Sequence, residues 1–167
     1  PALRRVGMVG RFLATAGRSV RQVMESHCQA AGDFAARLGL GDDVRTPLLQ
    51  AFERWDGKGV PGRVGTEEVS PTIRLVHLAD NVEAFHHVGG IEVAVAVARE
   101  RRGTQFDPEL VDCFCDRAGA ILADLAELSA WDEVIALDPS LGAPMADDLF
   151  DEALATFGDF ADLKDPL

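Results

Sequence analysis

Apolar residues recur every three or four positions along most of the chain, and that period predicts helices. Val20, Val23, Met24, Ala31, Phe34, Ala35 and Leu38, with His27 among them, mark one face of a helix over 19–38. Ser19 suits its N-cap and Gly39 its C-terminal stop. A second helix is predicted over 43–55, with Pro47 shifting the expected start toward Thr46. Residues 56–62 hold three glycines and a proline, so they form a turn rather than a helix. Ser70-Pro71 then opens a third helix over 72–87, which stops at Gly89-Gly90. Ile91, Val95, Ala98 and Arg102 define a fourth over 91–102. Asp107-Pro108 caps a fifth over 108–125, with Leu110, Val111, Phe114, Ala118, Ile121, Leu122 and Leu125 inward. Trp131–Leu137 and 147–163 complete the pattern around a break at 138–144. The expected fold class is all-α, a helical bundle with short loops.

Composition narrows the function. Of 167 residues, 47% are hydrophobic and 26% charged, as in an ordinary globular protein with a buried core. The net charge of -12 opposes direct nucleic-acid binding and docking on an anionic membrane. No apolar run reaches the ~18 residues of a membrane span. A cytoplasmic location is expected. The acidity is uneven: residues 118–167 carry 12 acidic residues and one base, Lys164, whereas 1–70 carry 10 basic and 8 acidic. The first two thirds are therefore electrically open to a nucleotide. Two units are expected: a helical domain over 1–125, whose N-terminal part extends beyond this chain, and an acidic helical extension over 126–167 leading to a further domain. Cys28, Cys113 and Cys115 are read as reduced thiols used as small core residues.

Three short segments could carry chemistry. The first is Glu53-Arg-Trp-Asp-Gly-Lys-Gly-Val-Pro61. It follows a helix instead of opening one and lacks Walker spacing, so spacing alone favours a tight reversal with Asp56 capping a turn. In the second, His77, Asp80 and His87 share one face of the helix 72–87, a donor set able to ligate a divalent metal. The plainer reading there is a buried stripe of Leu75, Val76, Leu78, Ala79, Val82 and Phe85, with the histidines at its margin. The third is His27, a lone histidine beside Met24, Ala31 and Phe34.

Taken in order, Glu25-x-His27 with Gly32, then Glu53 through Pro61, then Arg74-Leu-Val-His-Leu-Ala-Asp80, then Phe106-Asp-Pro-Glu-Leu-Val111 resemble the HD-GYP family over about residues 19–115. That family comprises metal-dependent phosphohydrolases of the HD superfamily, typically cyclic-di-GMP phosphodiesterases. The resemblance implies an HD-type helical bundle, with Glu53, Asp56, Gly57, Gly59 and Pro61 as its loop residues. It also assigns metal-ligand positions to His27 and Asp80. The chain departs from the pattern at Ala51 and Phe52, where the family has two metal-binding histidines. Val60 replaces the loop's tyrosine, and none of the four histidines is followed by Asp. The resemblance narrows to degenerate HD-GYP-like segments of large LuxR-type helix-turn-helix regulators.

These features imply a catalytically impaired HD-GYP-like module with a regulatory, sensory or protein-interaction role in a larger signalling or transcription-regulatory protein. One alternative is an active phosphodiesterase whose site is completed from outside the chain, or by His77 and His87. Another is a structural helical dimerisation module. No cofactor is expected; a bound one would be a divalent metal (Fe, Mn or Zn). The expected partners are other domains of the same longer chain, a second copy in a homodimer, or a nucleotide ligand.

Overall fold

The computed structural model describes residues 2–123, 125, 130–137 and 146–164. The elements run α1 (Ala2–Arg37), α2 (Asp42–Leu49), a short 3-10 turn (Thr66–Glu68), α3 (Pro71–Glu100), α4 (Pro108–Leu122), α5 (Ala130–Leu137) and α6 (Asp147–Lys164). Among the described residues there is no strand, only two isolated bridges, Phe52 to Val60 and Arg102 to Phe106. The all-α expectation therefore holds. The expected break at 138–144 and the expected boundary after residue 125 fall on or beside residues outside the described set.

The main core lies between α3 and α4. Leu78, Val82, Ala94 and Ala98 of α3 meet Val111, Phe114, Ala118 and Leu122 of α4, with Phe106 beneath them. This packing requires α3 to bend. Gly89 leaves helical geometry, and Gly90 sits at φ +77°, a conformation that a side chain disfavours. The expected break at Gly89-Gly90 is therefore present: two helical stretches, 71–88 and 91–100, meet across two glycines with non-helical torsions, and α3 denotes the pair. α4 begins as expected, with Asp107 as N-cap accepting from the Glu109 N–H at 2.9 Å and Pro108 behind it.

Asp107 does more than cap. Its other oxygen accepts from Arg74 Nη1 at 2.7 Å, and the Asp107 side chain is only 4% exposed. The Arg74 guanidinium lies 5.6 Å from the Trp55 ring centroid. One arginine therefore joins α3, the start of α4 and the loop after α2.

Four expectations are corrected. α1 starts at Ala2, so Ser19 lies inside a helix and is not a cap. α2 spans Asp42–Leu49 with Pro47 inside it and ends six residues before Trp55, because the chain must turn at Gln50 into the loop. The α3 stripe is narrower than expected: Leu78 and Val82 are buried, whereas Leu75 and Val76 are exposed, because α4 covers only one side of α3. On α4, Ile121 is exposed for the same reason.

α6 packs on α1. Arg37 reaches Glu152 at 3.0 Å and Asp159 at 2.6 Å. The Phe34 and Phe160 rings meet edge to face with centroids 5.6 Å apart. Among the described residues of α6, Ala153 and Thr156 are buried. Phe150, Leu154 and Phe157 remain on its exposed face.

Asp107→Ala removes both a helix cap and the partner of a part-buried guanidinium. It should cost about 3 kcal/mol or more in urea unfolding. A cost under about 1 kcal/mol would show that the pair does not hold α3 to α4.

Candidate functional site

The site is organised by Glu53. This residue is buried to 1% exposure, and a buried carboxylate needs donors. Its two oxygens accept from the Gly62 N–H at 3.0 Å and the Arg63 N–H at 2.8 Å. The loop thereby closes back on its own start. Phe52 O accepts from the Val60 N–H at 2.8 Å across the base of the loop. Gly59 sits so close to that base that a Cβ would lie 2.5 Å from the Arg54 N, the Glu53 Cα and the Phe52 O. Asp56 caps the turn as expected, accepting from the Lys58 N–H at 3.1 Å, and also pairs with Arg54 at 3.0 Å. Gly57, at φ +70°, supplies the left-handed step the turn needs.

Neighbouring elements fix the loop in place. Trp55 and Asp56 donate backbone N–H groups to the Gln105 and Thr104 carbonyls. From α1, Arg21 donates to Pro61 O at 2.7 Å and Glu25 pairs with Arg63 at 2.7 Å. Sequence reading missed Arg21. Its only signal was its place one turn before Glu25 on the same face of α1.

The positions implied as metal ligands divide between two concavities. His27, exposed on α1, lines one together with Ala51 and Phe52. Asp80, exposed on α3, lines the other with Phe52, Arg54, Lys58, His77 and Asn81. Phe52 borders both. His77 donates from Nε2 to Ala51 O at 2.8 Å. His87 lies outside both concavities and pairs with Glu83 at 2.7 Å on the exposed face of α3.

Asn81 and Gln105, also missed in sequence, are joined beside Asp80 by Arg101. This residue donates to Asn81 Oδ1 at 2.7 Å and lies 5.2 Å from the Phe85 ring centroid. Asn81 is polar and follows a candidate ligand, but nothing in the period marked it.

A metal of the kind the family uses does not fit this donor set. Among the described residues, no three His, Cys, Asp or Glu side chains come together in a group able to hold a metal ion. Glu53 already uses both oxygens on backbone N–H groups, and Ala51 and Phe52 offer no donor atom. Two-metal phosphoester chemistry needs several bridging and terminal ligands around one point, which these residues do not provide.

Cys28, on the turn of α1 behind this loop, is buried, whereas Cys113 is exposed. Burial pushes the Cys28 thiol up, partly offset by the Phe52 and Ala51 backbone. The folded chain therefore holds that proton more tightly than the unfolded chain. Cys28 thus contributes stability that is complete below the ordinary thiol range and declines as pH rises through it.

The architecture is all-α and resembles the HD-GYP phosphodiesterase fold. It is similar to a solved cyclic GMP-AMP-specific phosphodiesterase of V. cholerae, with a TM-score of 0.76 and 26% sequence identity over 88% of this chain. The chain spans 36% of that protein's length. No family model matches the chain. No curated protein matches it either.

Two measurements check the local account. Gly59→Ala forces a Cβ against three backbone atoms and should cost about 2–3 kcal/mol, the upper range for overpacking. Thermal unfolding beside Gly119→Ala, where a Cβ meets nothing within 4 Å, isolates the effect. Iodoacetamide at pH 8 should label Cys113 well before Cys28, by mass spectrometry of the folded chain. Equal rates would contradict the burial of Cys28.

Proposed function

We propose that this chain is an HD-GYP-like domain that does not hydrolyse phosphodiesters and acts as a regulatory, ligand-sensing or protein-interaction module of a longer protein. One observation carries the reading. The two loop positions that the HD-GYP pattern reserves for metal ligands are Ala51 and Phe52, and Phe52 borders both the His27 and the Asp80 concavities.

The loop's architecture supports a retained scaffold. Glu53, Asp56, Gly57 and Gly59 keep their structural parts through the contacts described above, none of which requires a metal. What the loop still offers on the Asp80 side is a concavity of about 370 Å³ with a mixed lining that includes Arg54, Lys58, Asp80, Phe52 and Val60. Lys58, with Arg54 beside it paired to Asp56, suits a phosphate-bearing ligand, and a nucleotide, such as the cyclic GMP-AMP named for the V. cholerae enzyme, is the natural candidate. The further domains and the degenerate regulator context belong to this proposal as well. No helix of the described residues is long and apolar enough to cross a membrane.

The test is metal content and turnover together. Elemental analysis of the purified full chain should return Fe, Mn and Zn far below one per chain. Bis-p-nitrophenyl phosphate and cyclic GMP-AMP should remain intact with added Mn. Stoichiometric metal accompanied by turnover that a chelator abolishes would establish the active phosphodiesterase instead.

A further inference from the structure

Charge is segregated along α1. Arg4, Arg5, Arg11, Arg18 and Arg21 all precede its first acidic residue, Glu25. Through the same stretch Val6, Val9, Leu13, Ala16, Val20 and Val23 recur at alternating steps of three and four. That is a seven-residue repeat, the register of a helix that pairs with another helix. At the end of the repeat, Val20 and Val23 are each 56% exposed on the folded chain.

The repeat has a counterpart of opposite charge. α6 carries six acidic residues and one base, Lys164. Phe150, Leu154 and Phe157 stand exposed along it at steps of four and three, with Asp147 and Asp151 exposed beside them. α6 lies against the other end of α1, where Arg37 binds Glu152 and Asp159. Phe34, which meets α6, falls on the same face of α1 as Val20 and Val23.

We propose that this face of α1 is a homodimer interface. Two copies pair α1 antiparallel about Val20 and Val23, and the basic half of each α1 lies against α6 of the other copy. Charge and length select this arrangement. α1 is one helix of 36 residues, about 54 Å long, and Arg11 lies about 39 Å from Arg37 along its axis. The basic half therefore cannot reach α6 of its own chain. Parallel pairing would lay five arginines against the same five, whereas antiparallel pairing lays them against acids. Val20 and Val23 sit near the midpoint of α1, where a twofold axis brings them onto their own copies. The contact is isologous and closes at two copies. Arg21 and Glu25, which hold the loop, fall on the other side of α1. The inference therefore stands whether or not the loop carries chemistry.

Sedimentation equilibrium of the full chain tests it. A dimer is expected at about 50 µM chain in ~50 mM salt, weakened at least tenfold in ~0.5 M salt because its charge pairs are screened. Val20→Ser with Val23→Ser, at two exposed positions, should weaken it at least tenfold. Leu75→Ser, on the exposed side of α3, should leave it unchanged. Two charge-reversed chains give the sharper result. One carries Arg4→Glu, Arg5→Glu and Arg11→Glu; the other carries Asp147→Lys and Asp151→Lys, leaving the acids that bind Arg37 in place. Each alone should be largely monomeric. Mixed, they should form a heterodimer, because opposite charges then face each other at both contacts, and that rescue shows that both chains are folded. A monomeric wild-type chain in low salt, a dimer indifferent to the paired valine changes, or a mixture that stays monomeric would overturn the proposal. Loss of the dimer in Leu75→Ser would also overturn it, by moving the interface to α3.

Discussion

A carboxylate buried to 1% exposure can persist only if its lone pairs are met, and at Glu53 they are met by two successive backbone N–H groups. That constraint shapes the middle of the molecule. It folds residues 53–63 back on themselves and brings the Val60 N–H to the Phe52 carbonyl. It also directs Trp55 and Asp56 toward the α3–α4 connection. Ala51 and Phe52 are placed as a consequence, and they decide what the adjacent concavities can hold. The loop that a metal-dependent relative would use for ligation is here held by hydrogen bonds, ion pairs and the Arg74 contact with Trp55.

The fold separates scaffold from chemistry with unusual clarity. Arg74, Asp107, Phe106, Glu53 and Gly59 are each explained by packing, capping or hydrogen bonding. These residues also carry most of the resemblance to HD-GYP proteins, so the resemblance is largely a statement about architecture. Ala51 and Phe52, which stand where the HD-GYP pattern carries two histidines, are where the chain departs from it. Similarity of fold to a phosphodiesterase is therefore compatible with a site of different chemistry.

The acidic extension takes on a role that composition alone did not suggest. Its charge is partly spent on Arg37, the last residue of α1, where the cation also opposes the negative end of that helix. Exposed surface pairs of this kind stabilise weakly. The aromatic contact between Phe34 and Phe160 supplies the apolar part of the docking. α6 thus rests on α1 through modest interactions.

The sequence by itself determined the all-α class, the cap and proline at the start of α4, the turn at Asp56-Gly57 and the absence of donors at positions 51 and 52. These are local facts: period, capping chemistry, glycine torsions and residue identity need no distant partner. Tertiary structure alone decided that α2 ends at Leu49. It also decided that Leu75 and Val76 face outward while Leu78 and Val82 face inward. Each depends on which neighbour covers which face, and a helical period cannot report that. The same holds at the site. Spacing placed His77, Asp80 and His87 on one side of a helix. Only the packing of the loop and α6 put Asp80 and His77 in one concavity, His27 in another, and His87 in neither.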